Sequence, residues 1–181
     1  MSDRVSRTAL VVVCDEADPV VAGWRRRFDS SAVERQLPPH VTILFPLVPA
    51  SDVGPRLLTD LGSLYAPVAP FAYALATVEA FPGVAWLAPD PSRAFRDLIE
   101  RTRAAFTKHV PYGDPDLEPT PHCTVGVAEG DAELEAMVAE LRSGLAPSLP
   151  IACTADAVWL LEERADATWA RRASFRFGGS G

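Results

Sequence analysis

A proline–histidine–x–threonine segment occurs twice in the chain, as Pro39-His40-Val41-Thr42-Ile43 and as Pro121-His122-Cys123-Thr124-Val125. Each opens an apolar, β-branched run, so each reads as a strand, over 40–46 and 122–128. Side chains alternate faces along a strand. His40 and Thr42 therefore share one face while Val41 and Ile43 take the other. His122 and Thr124 likewise share a face, opposed to Cys123 and Val125. A slip of one residue would bury both histidines and expose the aliphatics, so the register of both strands is strongly specified.

What surrounds the two segments repeats as well. After His40 come a helix from Ser51 to about Tyr65 and a hairpin, Phe71 to Phe81 and Val84 to Ala88, turned at Pro82-Gly83. After His122 come a helix from Asp131 to Leu145 and two strands, Ile151 to Leu161 and Thr168 to Phe177. The duplicated units are thus about 40–89 and 122–177, joined by a helix from Ser92 to His109 and a polar loop, Val110 to Thr120. Ahead of them, Thr8 to Cys14 is a β-branched run of the kind buried on both faces. Asp18-Pro19 then starts a helix through Phe28, whose Arg25-Arg26-Arg27 run reads as a solvated C-terminal end. The last residues, 178–181, read as a flexible tail.

Composition narrows the partners. The chain has 181 residues and a formal charge of −7, which argues against a grip on duplex DNA, since that needs a basic footprint. No apolar run approaches the roughly 18 residues of a membrane span. The run at Thr8 is short and passes straight into Asp15-Glu16-Ala17-Asp18 without a cleavage signal, so it is a strand rather than a leader. Three cysteines, Cys14, Cys123 and Cys153, are widely spaced in apolar sequence. They read as reduced core thiols of a cytoplasmic protein.

If the two histidine strands are related by an approximate two-fold, two imidazoles and two hydroxyls converge without a metal. Histidine titrates near pH 6.5, so one ring can be a neutral base while the other is a protonated acid. Threonine hydroxyls can donate to non-bridging phosphate oxygens, where charge is held in the transition state. The set suits in-line transfer at a phosphodiester.

The paired motifs, the proline before each and the order of elements resemble the 2H phosphoesterase superfamily, in particular its 2′-5′ RNA ligase-like and 2′,3′-cyclic phosphodiesterase branch. The resemblance runs from the strand at Val11 to the one at Phe175 and includes the pattern Phe81-Pro-Gly-Val-Ala-Trp86-Leu. It implies one bilobed, duplicated α+β domain over 1–177, with two antiparallel sheets, outer helices and a pseudo-two-fold about a central cleft. It also implies hydrolysis of 2′,3′-cyclic phosphodiesters to 2′-phosphates, without metal or cofactor, with His40, Thr42, His122 and Thr124 catalytic. Two other activities stay open: 2′-5′ ligation or cleavage of RNA, and nucleotide binding without turnover. The partner expected is a small nucleotide or short RNA end, met by a monomer.

Other residues are weighed against plainer roles. Trp86 lies on a strand able to line the cleft and stack a base, against ordinary core packing. Tyr112 sits in the loop leading to the second motif, where a substrate lid would lie. His109 reads as a helix-end charge partner and Cys123 as core. The acidic stretch Asp114 to Glu118 disfavours long polyanions.

Overall fold

The computed structural model describes residues 6–107 and 118–179. Among them are eight strands and five α-helices. In chain order these are β1 (Thr8–Val13), α1 (Asp18–Phe28), α2 (Ser30–Glu34), β2 (His40–Leu44), α3 (Pro55–Tyr65), β3 (Phe71–Phe81), β4 (Val84–Asp90) and α4 (Arg93–Ala105). There follow β5 (Cys123–Val127), α5 (Asp131–Leu145), β6 (Ile151–Ala155), β7 (Ala157–Glu163) and β8 (Trp169–Arg176). Every residue of β1 is buried, as its unbroken apolar run requires. The β3–β4 hairpin turns at Gly83, whose φ of +79° is a left-handed conformation that glycine adopts without a Cβ penalty.

The expectation of two sheets does not hold. All eight strands form one sheet in the order β6-β3-β4-β5-β2-β1-β7-β8, and every ladder is antiparallel. The two motif strands lie side by side at its middle and pair through one rung, Val41 opposite Cys123. That rung fuses what would otherwise be two four-stranded sheets. The sequence units also do not map onto the two sides. The β3–β4 hairpin, which follows the first motif in the chain, lies beside β5 of the second, whereas β1, β7 and β8 flank β2.

Ile151 to Leu161, expected as one strand, breaks at Asp156 into β6 and β7. The strand order places β6 at one end of the sheet and β7 near the other, with a single residue between them. Consecutive Cα atoms are only about 3.8 Å apart, so the sheet must curl until its ends approach. Asp156 secures the corner: its carbonyl accepts from the Phe177 amide at 2.8 Å, and its carboxylate pairs with Arg176. The C-terminal glycines are also tied down as far as they are described. Gly178 and Gly179 donate to the carbonyls of Ala66 and Val68, so these two residues are not a free tail.

One face of the curled sheet carries the main core. Leu10, Val12, Val41, Ile43, Cys123 and Val125 from the central strands meet Val21 of α1, Tyr65 of α3, Phe95 of α4 and Leu141 of α5 there. A smaller cluster, Ala9, Val11, Val13, Leu161 and Trp169, occupies the opposite face of β1, β7 and β8. No described helix is long and apolar enough to cross a membrane.

Candidate active site

The site face follows from the central rung. Val41 and Cys123 are fully buried and point into the main core, so their chain neighbours point the other way. Continuing the antiparallel register one residue each way sets Thr42 opposite His122 and His40 opposite Thr124. All four motif side chains are half-buried on this face. The histidines occupy one diagonal of the rectangle and the threonines the other, and diagonal positions lie about 7–8 Å apart. The second strand begins at Cys123, so His122 stands one residue ahead of it.

Both rings are held alike. His40 Nδ1 lies 2.7 Å from the Pro38 carbonyl, and His122 Nδ1 lies 2.7 Å from the Thr120 carbonyl. A carbonyl only accepts, so each Nδ1 carries the proton and each Nε2 is the nitrogen available for proton transfer. In both cases the carbonyl belongs to the residue two before the histidine, with a proline at or next to it. Burial pushes the His40 pKa down to about 4, with charges on Arg25 and His122 adding to the effect against the Pro38 hydrogen bond. Burial also lowers that of His122. That His122 acts on His40 electrostatically fits two rings sharing one small face.

The walls differ on the two sides. Beside His122, Trp86 lies opposite Thr124 and stacks on Phe81 at 4.7 Å between ring centroids. The His122 ring meets Phe81 edge-on at 5.1 Å and Trp86 at 5.9 Å. Trp86 is 7% exposed and belongs to neither apolar cluster. As it stands it buttresses His122 rather than offering an open face to a base. Its Nε1 is buried without a hydrogen-bond partner among the described residues. Beside His40 and Thr42 opens a cavity of about 140 Å³, with Val11, Leu37, Phe45 and Trp169 in its wall. Phe45 and Trp169 meet edge to face at 6.2 Å, and the Arg7 guanidinium lies over both rings while paired with buried Glu163.

Tyr112 and His109 lie outside the described residues, as does most of the acidic loop. Sequence reasoning misses Arg25. Its arginine run reads as a solvated helix end, yet Arg25 is 4% exposed, and its Nη2 donates to the Leu37 carbonyl at 2.7 Å. The signal is its spacing: four residues after Val21, it falls on the inward stripe of α1.

The model of the 2′-5′ RNA ligase superfamily matches residues 13–167. The chain belongs to this superfamily, the 2H phosphoesterases. Among solved structures, TT0787 of Thermus thermophilus superposes with a TM-score of 0.61 at 17% identity, over 97% of this chain and 100% of that one. E. coli LigT complexed with 3′-AMP gives 0.61 at 13% identity, over 95% and 98%. LigT complexed with ATP gives 0.60 at 14%, over 95% and 97%. At such identities the likeness is one of fold, and it extends the superfamily architecture over nearly the whole chain. No curated protein sequence matches significantly.

Proposed function

We propose that this 2H phosphoesterase is a cytoplasmic, metal-independent hydrolase of 2′,3′-cyclic phosphodiesters on nucleotides or short RNA ends. The observation that carries the reading is the pairing of the two motif strands through Val41 and Cys123, with both Nδ1 atoms tied to backbone and both Nε2 atoms left for chemistry. One Nε2 takes a proton from water as its oxygen bonds to phosphorus. The other gives its proton to the ribose 3′ oxygen as the P–O3′ bond breaks, leaving a 2′-phosphate and a 3′-hydroxyl. Thr42 and Thr124 donate to the non-bridging oxygens.

The apolar cavity beside His40 supports a base-bearing substrate. Its volume is close to that of a cavity known to hold one benzene ring, about 150 Å³. The nucleotides carried by the LigT structures accord with a small substrate. Three buried free thiols accord with the cytoplasm.

The test is turnover of 2′,3′-cyclic nucleotides with product identification. His40→Ala and His122→Ala should each lower kcat by about 10²–10⁴-fold, while EDTA should leave the rate unchanged. Near-normal rates in both variants, or loss of activity to chelator, would overturn the reading.

A further inference from the structure

Arg25 is a buried cation that the chemistry above does not use. A guanidinium is seldom buried unless its hydrogen bonds and charge are compensated, so what it holds is informative. It donates to the Leu37 carbonyl at 2.7 Å from the interior of α1. Leu37 opens the segment Leu37-Pro38-Pro39, which runs directly into His40. The two prolines have no amide hydrogen, so the only backbone donor of this stretch is the Leu37 amide, which donates to the Ala32 carbonyl at 3.0 Å. Its other anchors are its carbonyls: Leu37 is held by Arg25, Pro38 by the His40 ring at 2.7 Å, and Pro39 by the Cys14 amide at 2.9 Å.

We infer that Arg25 is a positioning residue for His40, clamping the Leu37 carbonyl and thereby fixing the Pro38 carbonyl that orients the imidazole. At the second motif His122 bonds in the same way to the Thr120 carbonyl. The guanidinium charge also opposes protonation of the ring it positions. The charges acting on His40 are those of Arg25 from α1 and His122 ahead of β5. Of these only Arg25 is permanently charged. Asp29, one turn on at the end of α1, is drawn toward ionisation by the same guanidinium although burial raises its pKa overall. The arginine is thus compensated only in part, by the Leu37 carbonyl and the nearby Asp29 carboxyl group, while its Nε is buried without a hydrogen-bond partner among the described residues. Because the inference concerns His40, its catalytic meaning rests on the function proposed above, but the geometry it predicts does not.

The experiment reads His40 directly, by NMR of the imidazole nitrogens and titration of the ring protons in the full chain. There are three histidines to assign. In the wild type His40 should carry its proton on Nδ1. Arg25→Met removes clamp and charge together, so the tautomer should become mixed and the His40 pKa should rise by about one pH unit. Arg25→Gln removes the charge but leaves a polar, shorter side chain at the position, so the His40 pKa should again rise. Under the proposed hydrolysis, Arg25→Met should also lower kcat by about 10²-fold at little changed KM. A folded Arg25→Met protein whose His40 tautomer and titration match the wild type overturns the inference. So does a change in which His122 moves as much as His40, which would mark general loosening. If Arg25→Met does not fold, an unchanged His40 titration in Arg25→Gln overturns it. Should His40→Ala prove fully active, the proposed hydrolysis fails while the NMR result still decides the role of Arg25.

Discussion

At the scale of single residues, burial disfavours charge on both imidazoles, whereas the proposed hydrolysis needs one of them charged. His40 titrates at about 4 in the folded chain and His122 below its ordinary value, both chiefly through burial. An unfolded histidine titrates near 6.5. Between those values the unfolded chain binds more protons than the folded one, so stability rises with pH across that window and is lost as pH falls through it. Urea unfolding followed from pH 7 to 4 should show that loss, and His40→Gln should diminish it. A wild-type profile that is flat between pH 6.5 and 4.5 would contradict the burial of the rings. Under the proposed hydrolysis the phosphodiester resolves the conflict, because its negative charge would favour the protonated form of whichever ring acts as the acid. The histidines and threonines are legible from alternation alone. Arg25 is not, since its charge and two arginine neighbours suggest a solvated end while its position on α1 says otherwise.

The site is assembled from elements with separate tasks. Strand β2 supplies His40 and Thr42, and β1 and β7 back it with Ala9, Val11 and Leu161, so the first motif sits against an apolar floor. Strand β5 carries Thr124 and is backed by β4, whose Trp86 and its stacking partner Phe81 brace His122. If the cavity under Phe45 and Trp169 receives the base, Trp169→Leu should raise KM for 2′,3′-cyclic nucleotides about tenfold, within the range of a lost aromatic contact. The same change should leave KM for ribose 2′,3′-cyclic phosphate, which has no base, nearly unaltered. An equal effect on both substrates would place the base elsewhere. Most of these elements can be read from periodicity and turn residues, as with the β3–β4 hairpin at Pro82-Gly83. The break at Asp156 cannot. One aspartate within a β-run resembles an outward-facing strand position, and only the pairing partners of Ala155 and Ala157 reveal two strands.

The whole molecule adds what no local pattern encodes, the order of strands. Duplication in the sequence suggests two sheets, but pairing preferences across distant segments join them into one, with each motif strand flanked by strands from outside its own unit. The net charge of −7 belongs to this scale too. If, as proposed, the protein attracts a single phosphodiester through two imidazoles, it should gain little from a longer polyanion. KM for a cyclic mononucleotide and for a ten-nucleotide RNA with a cyclic end should agree within a few-fold. Raising salt from 50 to 200 mM should weaken both slightly, far short of the roughly 10³–10⁵-fold losses of proteins that make many phosphate contacts. A steep salt response for the longer RNA would reveal an extended basic track.

Under the proposed hydrolysis, the lone rung between Val41 and Cys123 has a consequence for how activity would fail. The proposed proton donor and acceptor, His40 and His122, stand on opposite banks of that seam, so their separation is set where the sheet is most thinly stitched. A slight parting there would silence that chemistry at a stroke, with the packed interior behind it still intact.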